Sequence, residues 1–233
     1  MEGKVRGRST LTQFIDCFIA VYETSACLSI IFWDSAQSKT ILSQLPGLYD
    51  KISNTDESQA SGHRTTMDFI ILLHHLRLQY PAQSDFLTEV HKSKTSSQLR
   101  EHAKAIAASL RRNNYAFLEK LTDLNEGGSL SLIIHQTHPN EPIFGYTIRA
   151  LISQIRERAR EEAWKGLKSA YRELTVDAAS GDWLKRSLLI DPNEFGYERD
   201  QEIHAWLEKR LTQGEIALKE GTKSRFLIRK PAA

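Results

Sequence analysis

The sequence predicts a mostly α-helical chain: a stack of paired helices over residues 1–142, then a winged helix with a small β-hairpin over residues 143–233. Three observations predict it. In residues 148–174 apolar side chains recur at Ile148, Leu151, Ile152, Ile155, Ala159, Ala163, Leu167, Ala170, Tyr171 and Leu174, steps of three and four that mark one face of a helix. Upstream, shorter apolar-periodic segments alternate with Pro, Gly, Asn and Ser turns, the pattern of helix pairs that bury their faces on one another. Downstream, after a further short helix and a helix over 197–211, residues 215–219 and 225–229 alternate around Gly221, which reads as a hairpin.

Taken in order, residues 1–8 are basic, Gly-containing and expected to fray. Residues 10–33 step helically through Leu11, Phe14, Ile15, Phe18, Ile19 and Tyr22, with Ser9 or Thr10 as cap. A second helix from Asp34 or Ser35 runs through Ile41, Leu42, Leu45, Leu48 and Tyr49, and Pro46-Gly47 predicts a kink or break there. Residues 53–63 are small and polar, hence a loop. Thr65 or Thr66 caps a helix containing Met67, Phe69, Ile70, Leu72, Leu73 and Leu76, which Pro81 stops. Short helices follow around Phe86, Leu87 and Val90, then from Ser96 or Ser97 through Leu110. After Asn113-Asn114, another runs through Tyr115, Phe117, Leu118, Leu121 and Leu124. Gly127-Gly128 ends that unit, 129–135 is a short apolar helix, and 138–142 is a rigid connector. No repeat of fixed period is present. On the central helix, Arg156, Arg160, Glu161, Lys165, Lys168 and Arg172 form the polar face. Asp182 is expected to cap a helix over 183–190, with Trp183, Leu184 and Leu188 inward. Residues 191–196 form a loop, and Ile203, Trp206, Leu207 and Leu211 face the core of the last helix.

The chain's 233 residues and 40% hydrophobic content suffice for a buried core, and no apolar run reaches the ~20 residues a membrane-spanning helix needs. The start lacks the apolar core of a signal peptide, so a cytosolic or nuclear address is expected. Cys17 and Cys27 lack metal-like spacing; buried thiols are the expectation, with a disulfide or reactive thiol as alternatives. His74 and His75 point about 100° apart on their helix and cannot share a metal as i,i+4 residues can. His135 and His138 have no Cys nearby. Glu157, Glu161 and Glu162 lie among Arg156 and Arg160 and read as a solvated face. Gly127-Gly128 lacks the Lys-Ser/Thr of a phosphate loop. These readings point to a protein without catalytic, cofactor or metal chemistry. Trp164, Trp183 and Trp206 read as core. The functional signal is charge: the last twenty residues hold Lys219, Lys223, Arg225, Arg229 and Lys230 against Glu215 and Glu220, a local +3 against +2 for the whole chain. Arg199, Lys209 and Arg210 extend this basic set. Such a wing can contact nucleic acid phosphates, dock on protein, or merely protect a strand edge.

The order of parts is similar to a PCI domain, the module shared by the proteasome lid, the signalosome and an initiation-factor complex, and within it to the SAC/GANP branch of mRNA-export scaffolds. The stretches that carry the resemblance are Met67 through Leu76 (MDFIILLHHL), 103–117 (AKAIAASLRRNNYAF), 156–171, and Phe226-Leu227-Ile228-Arg229-Lys230. It covers about residue 67 to the C-terminus. Upstream, Trp33-Asp34-Ser35-Ala36-Gln37-Ser38-Lys39 stands where the branch carries an arginine-rich stretch. The resemblance implies a non-enzymatic nuclear scaffold that pairs with another PCI-domain protein and a small acidic Sem-type protein, and contacts RNA at the nuclear pore. The alternative is a proteasome-lid or signalosome-type PCI subunit that binds no nucleic acid. Neither implies a membrane or a small-molecule substrate.

Overall fold

A computed structural model describes residues 10–52, 60–93, 95–123, 128–131, 142–176, 178–190, 199–222 and 224–229. The expectations for residues 1–8, 53–59, 132–141 and 191–196 lie outside them. The protein is mostly helical with a small three-stranded antiparallel sheet. Helix α1 spans Thr10–Ile31, α2 Ser35–Ile52, α3 Ala60–Gln79, α4 Ser84–Lys92, α5 Ser97–Arg111 and α6 Tyr115–Leu121. The long helix α7, Pro142–Ala170, leads into strand β1, Glu173–Thr175; α8, Ala178–Ser187, and α9, Arg199–Thr212, precede the hairpin of β2, Ile216–Leu218, and β3, Arg225–Ile228.

Local chemistry sets several boundaries. Asp34 accepts the backbone N–H of Gln37 at 3.0 Å and starts α2. Ser96 caps α5 by accepting from Leu99 N–H at 3.3 Å, and Asn114 caps α6 by accepting from Phe117 N–H at 3.2 Å. Asn113, at φ 52°, makes the reversal between them.

Other boundaries correct the sequence reading. α2 continues through Pro46, so of the kink or break expected there the break does not occur. An internal proline costs about 3 kcal/mol, but Leu42, Leu45 and Tyr49 are buried on the same face, and each such side chain recovers about 1.5–3 kcal/mol. α3 begins at Ala60, so residues 60–63, expected in a loop, are helical. Tertiary contacts hold that weak segment: His63 lies 3.3 Å from Glu23 and edge-on to Phe144, and Arg64 pairs with Asp50 at 2.8 Å. Cys27 is buried but Cys17 is exposed, as are Phe14 and Phe18, because they lie on the side of α1 turned away from α2 and α7. Leu87 and Phe117 are also half-exposed.

Two hydrophobic cores share α7. Phe144, Ile148, Leu151, Ile152, Ile155 and Ala159 belong to the first, with α1, α2, α3, α5 and α6. Ala163, Trp164 and Leu167 belong to the second, with Leu174, Leu184, Leu188, Ile203, Trp206, Leu207, Ile216 and Phe226. The cores therefore divide between Ala159 and Ala163, inside one continuous helix. Polar ties fix the upstream part: Arg77 donates to Gln154 at 2.5 Å and to Ser35 at 3.0 Å, and Arg158 donates to the Arg77 and Leu78 carbonyls that end α3.

Arg156 and Arg160 are not on a solvated face. Arg156 is 3% exposed and donates to Thr122 Oγ1 and the Leu189 carbonyl, both at 3.3 Å. Arg160 donates to the Leu188 and Leu189 carbonyls at 2.8 and 2.9 Å. These carbonyls close the C-terminus of α8, where orphan acceptors and the helix dipole favour cations; Leu189 itself turns at φ 55°. Replacing Arg160 with Ala should cost about 1–3 kcal/mol, read as a lower urea midpoint with an unchanged slope.

The periodicity of α7 persists to Leu174, yet the helix stops at Ala170. The following residues are taken by the sheet: Glu173, Leu174 and Thr175 pair antiparallel with Leu227, Phe226 and Arg225, and the Arg172 carbonyl accepts from Ile228 N–H at 2.9 Å. Tyr171 is left exposed, stacked edge-on against Trp183 at 5.7 Å. Trp183 is half-exposed rather than core, because α8 begins at Ala178, with Asp182 inside it instead of capping it. Trp164 and Trp206 are buried.

Candidate interaction surface on the C-terminal module

The C-terminal module runs helix, strand, helix, helix, hairpin, and its sheet has the order β1-β3-β2. Leu174 and Phe226 face inward, placed by the alternation of the strands. The opposite face brings Glu173, Leu227 and Ala217 into one row and Thr175 and Arg225 into the next. The hairpin closes by Lys219 N–H donating to the Arg225 carbonyl at 2.9 Å and Thr222 N–H to the Lys219 carbonyl at 3.1 Å. Gly221 occupies φ 77°, which a β-carbon would strain. β2 lies at a sheet edge, and Leu218 on it and Leu227 on β3 are both substantially exposed.

The basic residues are not equivalent. Lys219 reaches Glu173 at 3.0 Å and Arg225 lies 3.8 Å from the same carboxylate, so these two cations share one counter-charge. Such exposed pairs are worth at most about 1 kcal/mol, so both side chains can turn outward. Arg229 is exposed immediately after β3, with its N–H donating to the Glu215 carbonyl at 2.9 Å. Lys209 is exposed on α9. The side chain of Arg199, and the whole of Lys223 and Lys230, fall outside the described residues.

Arg210 is withdrawn from the set. It is 4% exposed and forms ion pairs with Glu161 and, at 3.2 Å, with Glu215. Its guanidinium lies 4.9 Å from the Trp206 ring centroid and 5.9 Å from that of Trp164. Glu215 also accepts from Trp164 Nε1 at 2.7 Å and from Lys168 at 2.5 Å. Burial pushes the Glu215 carboxyl up, but the Lys168 and Trp164 hydrogen bonds and the Lys168 and Arg210 charges outweigh it and hold it below its ordinary value. Arg210 reads as part of a basic run in sequence, and the tryptophans four and forty-six residues upstream are the signal that it packs instead.

Elsewhere, an open cleft of about 460 Å³ between α6 and α8 is lined by Glu119, Lys120, Asp182, Lys185 and Arg186, with Lys185 3.5 Å from Asp182. A second, of about 430 Å³, is lined by Tyr80, Arg111, Tyr115, Glu162 and Gly166 among others. Among the described residues, no group of three His, Cys, Asp or Glu is placed to hold a metal ion, and no helix is long and apolar enough to cross a membrane. His74 and His75 are near-perpendicular, 6.5 Å between ring centroids.

No family model matches the chain, and neither a curated protein nor a solved structure matches it.

Proposed function

We propose that the chain is a PCI-type scaffold resembling the SAC/GANP family, in which a helical-repeat array ends in a winged helix. Its work is to hold a second PCI-domain protein and a small acidic Sem-type protein, and to contact RNA during mRNA export or processing in the nucleus. The observation that carries this reading is the element order after residue 142: helix, strand, helix, helix, two-stranded wing, with the first strand joining the wing in one antiparallel sheet and the first helix continuing out of the upstream core. The edge of β2 offers backbone pairing to a partner strand. Arg225, Arg229 and Lys209 supply exposed cations beside it, the charge that an RNA backbone or an acidic ribbon would meet.

One observation favours a second reading. Glu173 sits between Lys219 and Arg225, and Arg210 is internal, which weakens the wing's positive field. A proteasome-lid or signalosome-type subunit that docks protein alone fits that balance.

RNA binding measured against salt separates the two. With Lys223, Arg225 and Lys230 replaced by Glu, the SAC/GANP-like reading expects weaker binding to single-stranded RNA and a log–log salt slope shallower by about 2, at roughly 0.7 per lost phosphate contact. An unchanged affinity and slope would remove the wing from RNA contact. Affinity purification of the chain then tests the scaffold role: a PCI-domain partner is expected, and its absence counts against both readings.

A further inference from the structure

Helix α1 is apolar on two opposite sides. Ile19, Ala26, Cys27 and Ile30 are buried, on the side packed against α2 and α7. On the other side stand Phe14, Phe18, Val21, Leu28 and Phe32, all between 43 and 77% exposed, with Trp33 just beyond the helix end. With Ser25 in the sequence gap, these positions step four, three, four, three, four. That is the a/d spacing of a coiled-coil seam, the geometry in which a helix presents one narrow stripe to a second helix.

We propose that this seam pairs with the same seam of a second copy of the chain. The exposed apolar surface of the six side chains is on the order of 700 Å² per copy, given that a buried aromatic covers about 150–250 Å². A monomer's largest bare apolar patch is about 300–600 Å², and a stable interface takes about 800 Å² from each partner. The area is therefore close to what one half of a dimer needs. Charge selects the same occupant. Positions 17, 22, 24, 29 and 31 beside the stripe are Cys, Tyr, Thr, Ser and Ile, so among the described residues these flanks set no like charges against an identical helix and offer a foreign partner no charge to read. Glu23, the acidic residue nearest the middle, is turned inward to Tyr49 and His63. An antiparallel two-fold pairing sets Phe14 against Phe32, Phe18 against Leu28 and Val21 against Ser25, and opposes the two helix dipoles. Nothing in this rests on the C-terminal module.

Sedimentation velocity of the full chain, from about 1 to about 100 µM, spans the range where an interface of this size shows its equilibrium. The wild type should dimerise with concentration. Phe18→Glu with Leu28→Glu should weaken dimerisation by at least about 100-fold, since two hydrophobic anchors become buried charges. Tyr146→Glu, exposed on α7, should leave it unchanged. Far-UV circular dichroism confirms that the variants remain folded. Should the double variant unfold, crosslinking decides: in a Cys17→Ser background, an equimolar mixture of Val21→Cys and Ser25→Cys chains is expected to give a disulfide-linked dimer on oxidation. A wild type that stays monomeric throughout, a dimer that the double variant leaves intact, or a dimer with no crosslink overturns the proposal.

Discussion

Arg210→Ala is expected to destabilise the C-terminal module by about 2–3 kcal/mol, from the loss of its charged hydrogen bonds and of its packing on two indoles, the solvent access of Glu161 and Glu215 keeping the cost below that of a fully buried pair. Glu215 would keep Lys168 and Trp164 but lose the cation between the two indoles. Arg210→Met preserves most of the packing against Trp206 and removes the charge, so it should cost less than the Ala variant. Chemical denaturation followed by tryptophan fluorescence measures both, because Trp164 and Trp206 meet edge-on at 4.9 Å within the affected core. If Arg210 acted at the surface, by contrast, its removal would alter salt-dependent binding and leave the unfolding midpoint in place. Acid should act on the same cluster. Glu215 is held below its ordinary value in the folded chain, so its stabilising share is present above the unfolded carboxyl pKa and fades as pH falls through the folded one.

The second large effect comes from His74. It is 2% exposed on α3, and neither ring nitrogen has a hydrogen-bond partner. Burial, reinforced by the nearby charges of Arg77, His75 and Lys39, lowers its pKa to about 3. Above pH 6.5 the ring is neutral in both the folded and unfolded chain, and the shift costs nothing. Between 6.5 and about 3 only the unfolded chain takes up the proton, so stability falls as the pH drops, by about 1.4 kcal/mol per unit from this group. His75 and His102 are lowered in the same direction, by burial first, and steepen the loss. His74→Leu should raise stability at pH 7.5 by about 1–3 kcal/mol by removing two unpaired buried nitrogens. It should also flatten the acid limb by one proton's slope. Thermal melts from pH 7.5 to 4.5, wild type beside variant, check both; a parallel pair of pH curves would show that His74 does not carry the effect.

Both effects lie where the local pattern was least readable. Caps and turns made by neighbours in sequence were legible: Ser96, Asn113 and Asn114 do what their side chains favour locally. So was the hairpin, whose alternation and Gly221 turn act within a dozen residues. What required distant partners was not legible. The end of α7 depends on β3, more than fifty residues on. The continuity of α2 through Pro46 depends on burial that outweighs its local cost. Periodicity puts Arg156 on a polar face, but the carbonyls closing α8 need a cation and draw it inside. Arg210 misled for the same reason: a guanidinium is at home between indoles when carboxylates complete its shell. A helix apolar on two opposite sides, as α1 is, expects cover on both.

Because α7 crosses from one core to the other without a break, it works as a rigid beam rather than a joint. A load applied to the sheet would pass along the helix axis toward Phe144 and Ile148. Cutting the chain at 142 would not release two independent pieces. It would strip the upstream half of its keel and leave the downstream half with a bare apolar mast.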